Sequence, residues 1–408
     1  MTGSLQTLNV HLAAAQPSAT YRMIDRVAER RATGAKVISL SAGEPDFDTP
    51  AHVRAAAIAA IEAGHTRYTQ VAGMRPLREA VAAKFRDENG LDVGWQDTIV
   101  CTGGKQVIHN ALAATLNVGD EVIVPAPYWV SYPEIVQLAG ATSVVVPCGE
   151  ASGFKLTPKA LADAITPRTR WLILNSPSNP TGAVYSRPEL QALAEVLLAH
   201  PHVLVLSDDI YEHLIFDGAR FHTIAQAEPR LASRTLTMNG VSKAYAMTGW
   251  RIGFATGPRW LLDAMEKLQG QQTSGACSIS QHAALAALTG PQDFVRETRT
   301  VFERRRNAMV EMLNETFGLR CDTPGGAFYA FASCEGLIGR TTRCGTRLRT
   351  DEDVALALLE EANVAVVHGS AFGLGPYIRI AYALDDGALR QACLAIREFC
   401  QSTSARDE

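Results

Sequence analysis

The sequence predicts an α/β protein, with a larger unit built on a mostly parallel seven-stranded sheet sandwiched by helices and a smaller α+β unit. Three observations carry that reading. Seven short apolar runs, at 98–101, 121–124, 142–146, 170–174, 203–207, 234–238 and 252–256, are interleaved with stretches of helical periodicity. Apolar strands alternating with helices mark parallel strands joined by right-handed crossovers. Residues 318–408 change pattern, with strands and helices in an α+β order, and 408 residues are enough for two or three domains.

Along the chain, residues 1–20 are small and polar, broken by Pro17-Ser18, and an amphipathic helix is expected from Tyr21 to about Arg31. A short apolar run at Val37–Leu40 precedes the turn-rich segment Gly43–Pro50. There Thr49 reads as an N-cap, with Pro50 opening an Ala-rich helix over 51–63. Helices are expected at 105–116, 131–138, 157–165 and 187–199 between the strands. They continue at 258–269, 278–289 and, after Pro291, in a long charged helix to about Phe317. In the last part, 325–331, 364–367 and 377–382 read as strands, 351–362 and 386–400 as helices, and the Gly-, Thr- and Arg-rich 335–350 as a surface loop. The division expected is residues 50–290 as the large domain and 1–49 with 291–408 as the small one.

Composition excludes several classes. With 47% hydrophobic and 20% charged residues, the chain is neither disordered, collagen-like nor a coiled coil. A net charge of -4 offers no groove for nucleic acid and no face for an anionic membrane. No run of about 18 apolar residues predicts a transmembrane helix. Met1-Thr2-Gly3-Ser4-Leu5 lacks the charged and apolar regions of a secretory signal. The eight cysteines are scattered without a C-x-x-C pair, which suits reduced thiols in a cytoplasmic protein. Neither H-E-x-x-H nor an EF-hand loop occurs, and no metal site is expected.

Lysine is scarce, seven against 31 arginines, and Lys84, Lys159 and Lys267 sit where a solvated helix face would put them. Lys243 instead follows the strand at 234–238, where α/β sheets bind ligands. It is either a surface lysine in a loop or an amine whose pKa burial lowers enough for Schiff-base chemistry. Asp208 ends another strand, three residues before Tyr211. The pair can serve a pyridinium nitrogen and a ring oxygen, or Ser207-Asp208-Asp209 can cap a helix. Asn179 lies in Asn175-Ser176-Pro177-Ser178-Asn179-Pro180-Thr181-Gly182, which can be a turn and nothing more. Gly103-Gly104-Lys105 opens a helix after a strand, and free N–H groups there suit a phosphate, although the pattern is no nucleotide P-loop. Arg251 can grip the same phosphate. Arg379, inside an apolar strand, needs either an internal acid or a substrate carboxylate. A Schiff-base lysine, an anion for a ring nitrogen and phosphate anchors are together what pyridoxal phosphate needs.

In Ser41–Pro50, Asn175–Gly182, Ser207–Leu214 and Ser242–Gly253, taken in that order, the chain resembles the class I aminotransferases of fold type I. It is nearest the bacterial aspartate aminotransferases of the subgroup that uses a lysine for the distal carboxylate, and the similarity spans about 17–400. The resemblance implies pyridoxal 5'-phosphate as cofactor, with Lys243 forming the Schiff base and shuttling the substrate proton. Asp208 would keep the ring nitrogen protonated, and Tyr211 and Asn179 would hold the 3′-oxygen. Gly103, Gly104, Ser242 and Arg251 would bind the phosphate, and Trp129 would stack on the ring unless it is an ordinary core aromatic. Tyr68 would reach the phosphate of a neighbouring subunit, implying a homodimer with shared sites. Arg379 would clamp the α-carboxylate with Asn179 and the Gly43 N–H, while Lys105, assisted by Thr20, would take the distal carboxylate.

The activity so implied is ping-pong transfer of the amino group of aspartate, or a similar acidic amino acid, to 2-oxoglutarate. Prephenate or aromatic aminotransferase activity is an alternative. Relatives acting on prephenate carry an arginine shortly before Pro17-Ser18-Ala19-Thr20, where Ala13-Ala14-Ala15-Gln16 stands here. A Cβ lyase on the same fold is a further alternative. A non-enzymatic pyridoxal-phosphate sensor would need a DNA-binding helix that the sequence before Pro50 does not offer.

Overall fold

The computed structural model describes residues 8–405; Met1–Leu5, read above for a signal, lies outside them. Its strands, in chain order, are β1 (Ile38–Ser39), β2 (Thr98–Cys101), β3 (Glu121–Ala126), β4 (Thr142–Pro147), β5 (Thr169–Asn175), β6 (Leu204–Asp208), β7 (Thr235–Gly240), β8 (Gly253–Thr256), β9 (Tyr329–Ser333), β10 (Val364–Ala365), β11 (Val367–His368) and β12 (Tyr377–Ala381).

Seven of them form one sheet in the order β2-β8-β7-β6-β5-β3-β4, parallel except for β8, which runs against both neighbours. Strands buried on both faces read as unbroken apolar runs, and β7 is buried at every position. The edge strand β4 is mostly half-buried or exposed, as an unpaired edge allows. Separate hydrophobic clusters pack on the sheet, one around Val107, Ile108 and Trp171, another around Leu172, Leu193 and Val205.

A further core cluster joins Met23, Val27, Val37 and Leu40 to Val364, Ile378, Ile380 and Ile396. Backbone bonds stitch the same segments together. β1 pairs in parallel with β10, and Leu40 donates to Ala365 while accepting from Ala381. β11, β12 and β9 form an antiparallel sheet in that order.

Several expectations change. The run 364–367 is two strands, because the chain passes from β1 to the other sheet at Val366. Gly325–Phe328 forms no strand beyond a single antiparallel bridge, Gly326 against Ile215. Gly326 lies so close to the Leu214 carbonyl that a Cβ would sit 2.6 Å from it, and Ala327 has φ +58. Thr49 caps no helix; its hydroxyl donates to the Ala246 carbonyl, and Pro50 takes the N-cap position of Ala51–Glu62. The loop 335–350 is pinned by Leu337 and Leu348, both fully buried. The stretch before Pro17 holds a short helix, Val10–Ala14. The helix Arg75–Asp87 has no counterpart among the sequence expectations. Among the described residues no helix is long and apolar enough to cross a membrane. All eight cysteines are free, Cys277 and Cys344 exposed and the others buried.

Candidate active site

The C-terminal ends of β2, β3, β5, β6 and β7 meet along one edge of the sheet, and the segments leaving them wall a cavity of about 560 Å³. Every residue singled out from the sequence lines it except Gly103, which lies behind Arg251, and Tyr68. Tyr68 stands 96% exposed, outside the cavity.

Lys243, three residues past β7, reaches the cavity, where its Nζ donates to the Gly43 carbonyl. Burial lowers its pKa from 10.5 to about 8; the charge of Glu44 opposes this, and Arg251 and Arg379 reinforce it. It is therefore not a solvated loop lysine. Asp208, the last residue of β6, is buried, and no helix follows it to be capped. Its Oδ2 accepts from the Tyr132 hydroxyl at 2.6 Å and its Oδ1 from the Ile210 amide at 3.3 Å. Burial raises Asp208 to about 6 against the pull of both bonds and of Lys243. Asp209 turns away, taking the Ser207 hydroxyl at 2.7 Å. The Tyr211 hydroxyl meets that of Tyr329 at 2.8 Å.

At one end, β2 runs into Gly103, with φ +83, and the helix Gly104–Thr115. A Cβ on Gly103 would lie 2.3 Å from Nη2 of Arg251, so the guanidinium occupies the space that the bare glycine leaves. Ser242 stands beside them in the cavity wall. Free N–H groups, a hydroxyl and a guanidinium form a cradle for a phosphate-like dianion.

At the other end, Arg379 on β12 is 2% exposed. It donates to Asn179 Oδ1 at 3.1 Å and to the Ser41 carbonyl at 2.6 Å, and its Nε has no partner. Asn179 is thus more than a turn residue, although its own amide is held by Asn175 Oδ1. Burial lowers the Arg379 pKa, and no acid among the described residues offsets it. Bringing such an ion out of water costs several kcal/mol, about as much as a good ion pair returns. The internal-acid alternative therefore fails among the described residues, and Arg379 is a buried cation with room on the cavity side. Lys105 is a second cation of this kind. Its Nζ lies 4.9 Å from the Trp129 ring centre and 6.0 Å from that of Tyr21, and burial, then Arg251, lowers its pKa. Thr20 faces the cavity from the helix Ala19–Ala32, and Gly43 lies where a Cβ would strike the Tyr329 hydroxyl at 2.7 Å.

Among the cavity-lining residues that the sequence reading did not single out are three that contact its site residues or motifs. Tyr132 is one helical turn from Trp129, and that i, i+3 spacing was the available signal. Tyr329 shares a face of the β9–β12 ladder with Arg379, whose guanidinium lies 4.7 Å from its ring centre. Glu44, inside a quoted motif, accepts from the Thr248 hydroxyl at 3.0 Å. Lys84 corrects another expectation: it is buried, not solvated, and pairs with Glu212 and Glu88. Its ammonium pairs with both carboxylates of the one cluster of possible metal ligands among the described residues, Glu88, Glu212 and His213.

The family described as "Aminotransferase class I and II" matches residues 35–396. A "Probable aspartate/prephenate aminotransferase" of Rhizobium leguminosarum bv. phaseoli is 56% identical over 95% of this chain and 97% of its own. An "Aspartate aminotransferase" of Rhizobium meliloti is 53% identical over 93% of this chain and 92% of its own. Among solved structures, the aspartate aminotransferase from Rhizobium meliloti superimposes with a TM-score of 0.95 at 50% identity, covering 98% of this chain and all of that one. The aspartate aminotransferase from Thermus thermophilus with maleate gives 0.89 at 41% identity, over 97% and 100% of the two chains.

Proposed function

This chain belongs to the class I and II aminotransferases, and from that premise we propose that it moves the α-amino group of aspartate to 2-oxoglutarate with pyridoxal 5′-phosphate as cofactor. The observation that carries the substrate class is the pair of cations, Arg379 and Lys105, lining one cavity with Lys243 and without an acid partner among the described residues. A dicarboxylic amino acid supplies one anion to each. The maleate in the Thermus thermophilus structure is also a dicarboxylate.

The donor set fits the cofactor. The Gly103–Arg251 cradle suits its phosphate, buried Asp208 its ring nitrogen, Tyr211 and Asn179 its ring oxygen, Trp129 its face, and the lowered amine of Lys243 its aldehyde. When bound, pyridoxal phosphate supplies an electron-withdrawing ring that stabilises the charge left at the substrate Cα. Lys243 Nζ would take the Cα proton and deliver it to the carbon that was the cofactor's aldehyde, general acid–base work of about 10²–10⁴-fold. Arg379, with Asn179 and the Gly43 N–H, orients the α-carboxylate. Lys105 and Thr20 select the distal one. Tyr68, on the outer surface, would complete the phosphate site of a neighbouring subunit. The homodimer, the cytoplasmic location and the division into 50–290 and 1–49 with 291–408 are part of the same proposal.

The test is the visible spectrum with L-aspartate alone. Its yellow band should fade, and 2-oxoglutarate should restore it. Lys105→Leu should slow the aspartate half-reaction by about 10²-fold, the loss of one charged hydrogen bond and ion pair, while leaving alanine unchanged. Equal losses for both donors would sink the assignment of Lys105. Prephenate is a second acceptor to measure in the same assay, because two relatives 56% identical to this chain carry its name. Against it stands the Ala13–Gln16 segment, where the Gln16 amide donates to Glu134 and no arginine is present.

A further inference from the structure

The inference drawn here rests on the reading of Asp208 as the partner of the ring nitrogen. We propose that Tyr132 is a positioning residue, whose hydroxyl keeps Asp208 an ionised carboxylate and so sets how strongly the chain grips a protonated ring nitrogen.

Asp208 is almost wholly removed from water, and burial favours its neutral form. Two donors among the described residues hold it ionised. The Ile210 amide is long, at 3.3 Å. The Tyr132 hydroxyl, at 2.6 Å, has the length of a charge-assisted O–H···O⁻ bond. Tyr132 is 2% exposed, and its hydroxyl has no other partner among the described residues. Burial and the charge of Asp208 hold the phenol far above its ordinary pKa, so it remains a donor. The helix Ser131–Leu138 and the residues just before it make this placement economical. Trp129 and Tyr132 stand one turn apart, edge to face at 5.4 Å, and both line the cavity. One short segment thus brings the indole for the ring face and the phenol for the carboxylate. Lys243 Nζ, Tyr211 and Asp209 are the other titratable groups near Asp208, and none donates a hydrogen bond to its carboxylate.

The experiment compares full-length wild type, Tyr132→Phe and Asp208→Asn, each freed of cofactor. Dissociation constants are measured for pyridoxal 5′-phosphate and for its analogue with the ring nitrogen replaced by C–H. The ratio of the two constants reads the grip on the nitrogen alone, and binding of the carbocyclic analogue reports an intact pocket. Wild type should prefer pyridoxal phosphate. Tyr132→Phe should cut that preference about tenfold or more, as expected for a lost bond to a charged group, with little change for the analogue. The ¹⁵N resonance of bound, ring-labelled cofactor should move toward that of an unprotonated pyridine. A merely structural tyrosine would weaken both ligands in proportion and leave the resonance in place. That result, with Asp208→Asn still losing the preference, overturns the role of Tyr132 and spares that of Asp208. Retention of the preference in Asp208→Asn overturns both.

Discussion

An amine attacks an aldehyde only when it is neutral, and the surroundings of Lys243 set the pH at which it becomes so. Burial brings it from 10.5 to about 8. Below that pH it is an ammonium and cannot attack; above it, the lone pair is free. The rate at which cofactor-free protein captures pyridoxal phosphate should therefore rise with pH to half its limit near 8. A midpoint near 10.5 would mean that the amine is solvated. At this scale the sequence was legible wherever a residue broke its local pattern. Arg379 stood out in an apolar strand and Lys243 at a strand end. It was illegible where the partner is distant. Lys84 looks like an ordinary helix-face lysine until Glu212, far along the chain, is seen against it. Tyr132 looks like a core aromatic until Asp208 is seen beneath its hydroxyl.

The helix Asp293–Asn314 shows what lies between residue and fold. Its charge suggests a solvated rod, yet Arg305 and Arg306 are both buried. Arg305 holds Asp46 through two bonds, at 2.8 and 2.9 Å, and Asp386 through a third, at 3.0 Å. Asp46 lies three residues after Gly43, so the helix braces the segment that presents Gly43 and Glu44 to the cavity. Replacing Arg305 by Met should cost about 2–4 kcal/mol of stability, since Asp46 keeps some access to water. It should also raise the KM for aspartate more than it changes cofactor affinity. An unchanged KM would mean that the segment holds its shape without the brace. Elements were legible where one period ran its full length, as in most strands and helices of the large sheet. They were not where tertiary contacts override the pattern. Glycine-rich 325–328 pairs with the chain at Ile215 through a single bridge and then turns at Ala327, with φ +58, and 364–368 divides its hydrogen bonds between two sheets.

For the whole molecule, the exposed phenol of Tyr68 is the feature that a single chain leaves without use. If it serves a neighbouring subunit, two defective chains can repair one another. Tyr68→Ala supplies an intact Lys243, and Lys243→Ala supplies an intact Tyr68. Random re-assortment of the two should restore about a quarter of wild-type activity, because half of the dimers are mixed and one of their two sites is whole. No gain over the separate variants would show that the sites are not shared. The joining of β1 to β10, and of Leu40 to Ala365 and Ala381, bears on how the protein is made. On the ribosome, the segment around Leu40 emerges early and its partners emerge more than three hundred residues later. At a synthesis rate of about 5–20 residues per second, that strand waits roughly a quarter of a minute to a minute with its backbone unpaired. The large sheet can form in the interval, but the Ser41 carbonyl has no guanidinium to receive until Arg379 has been translated. The nascent chain should therefore remain open to proteases near residue 40 until almost its last strand is complete, and the carboxylate pocket is among the last parts of the molecule to exist.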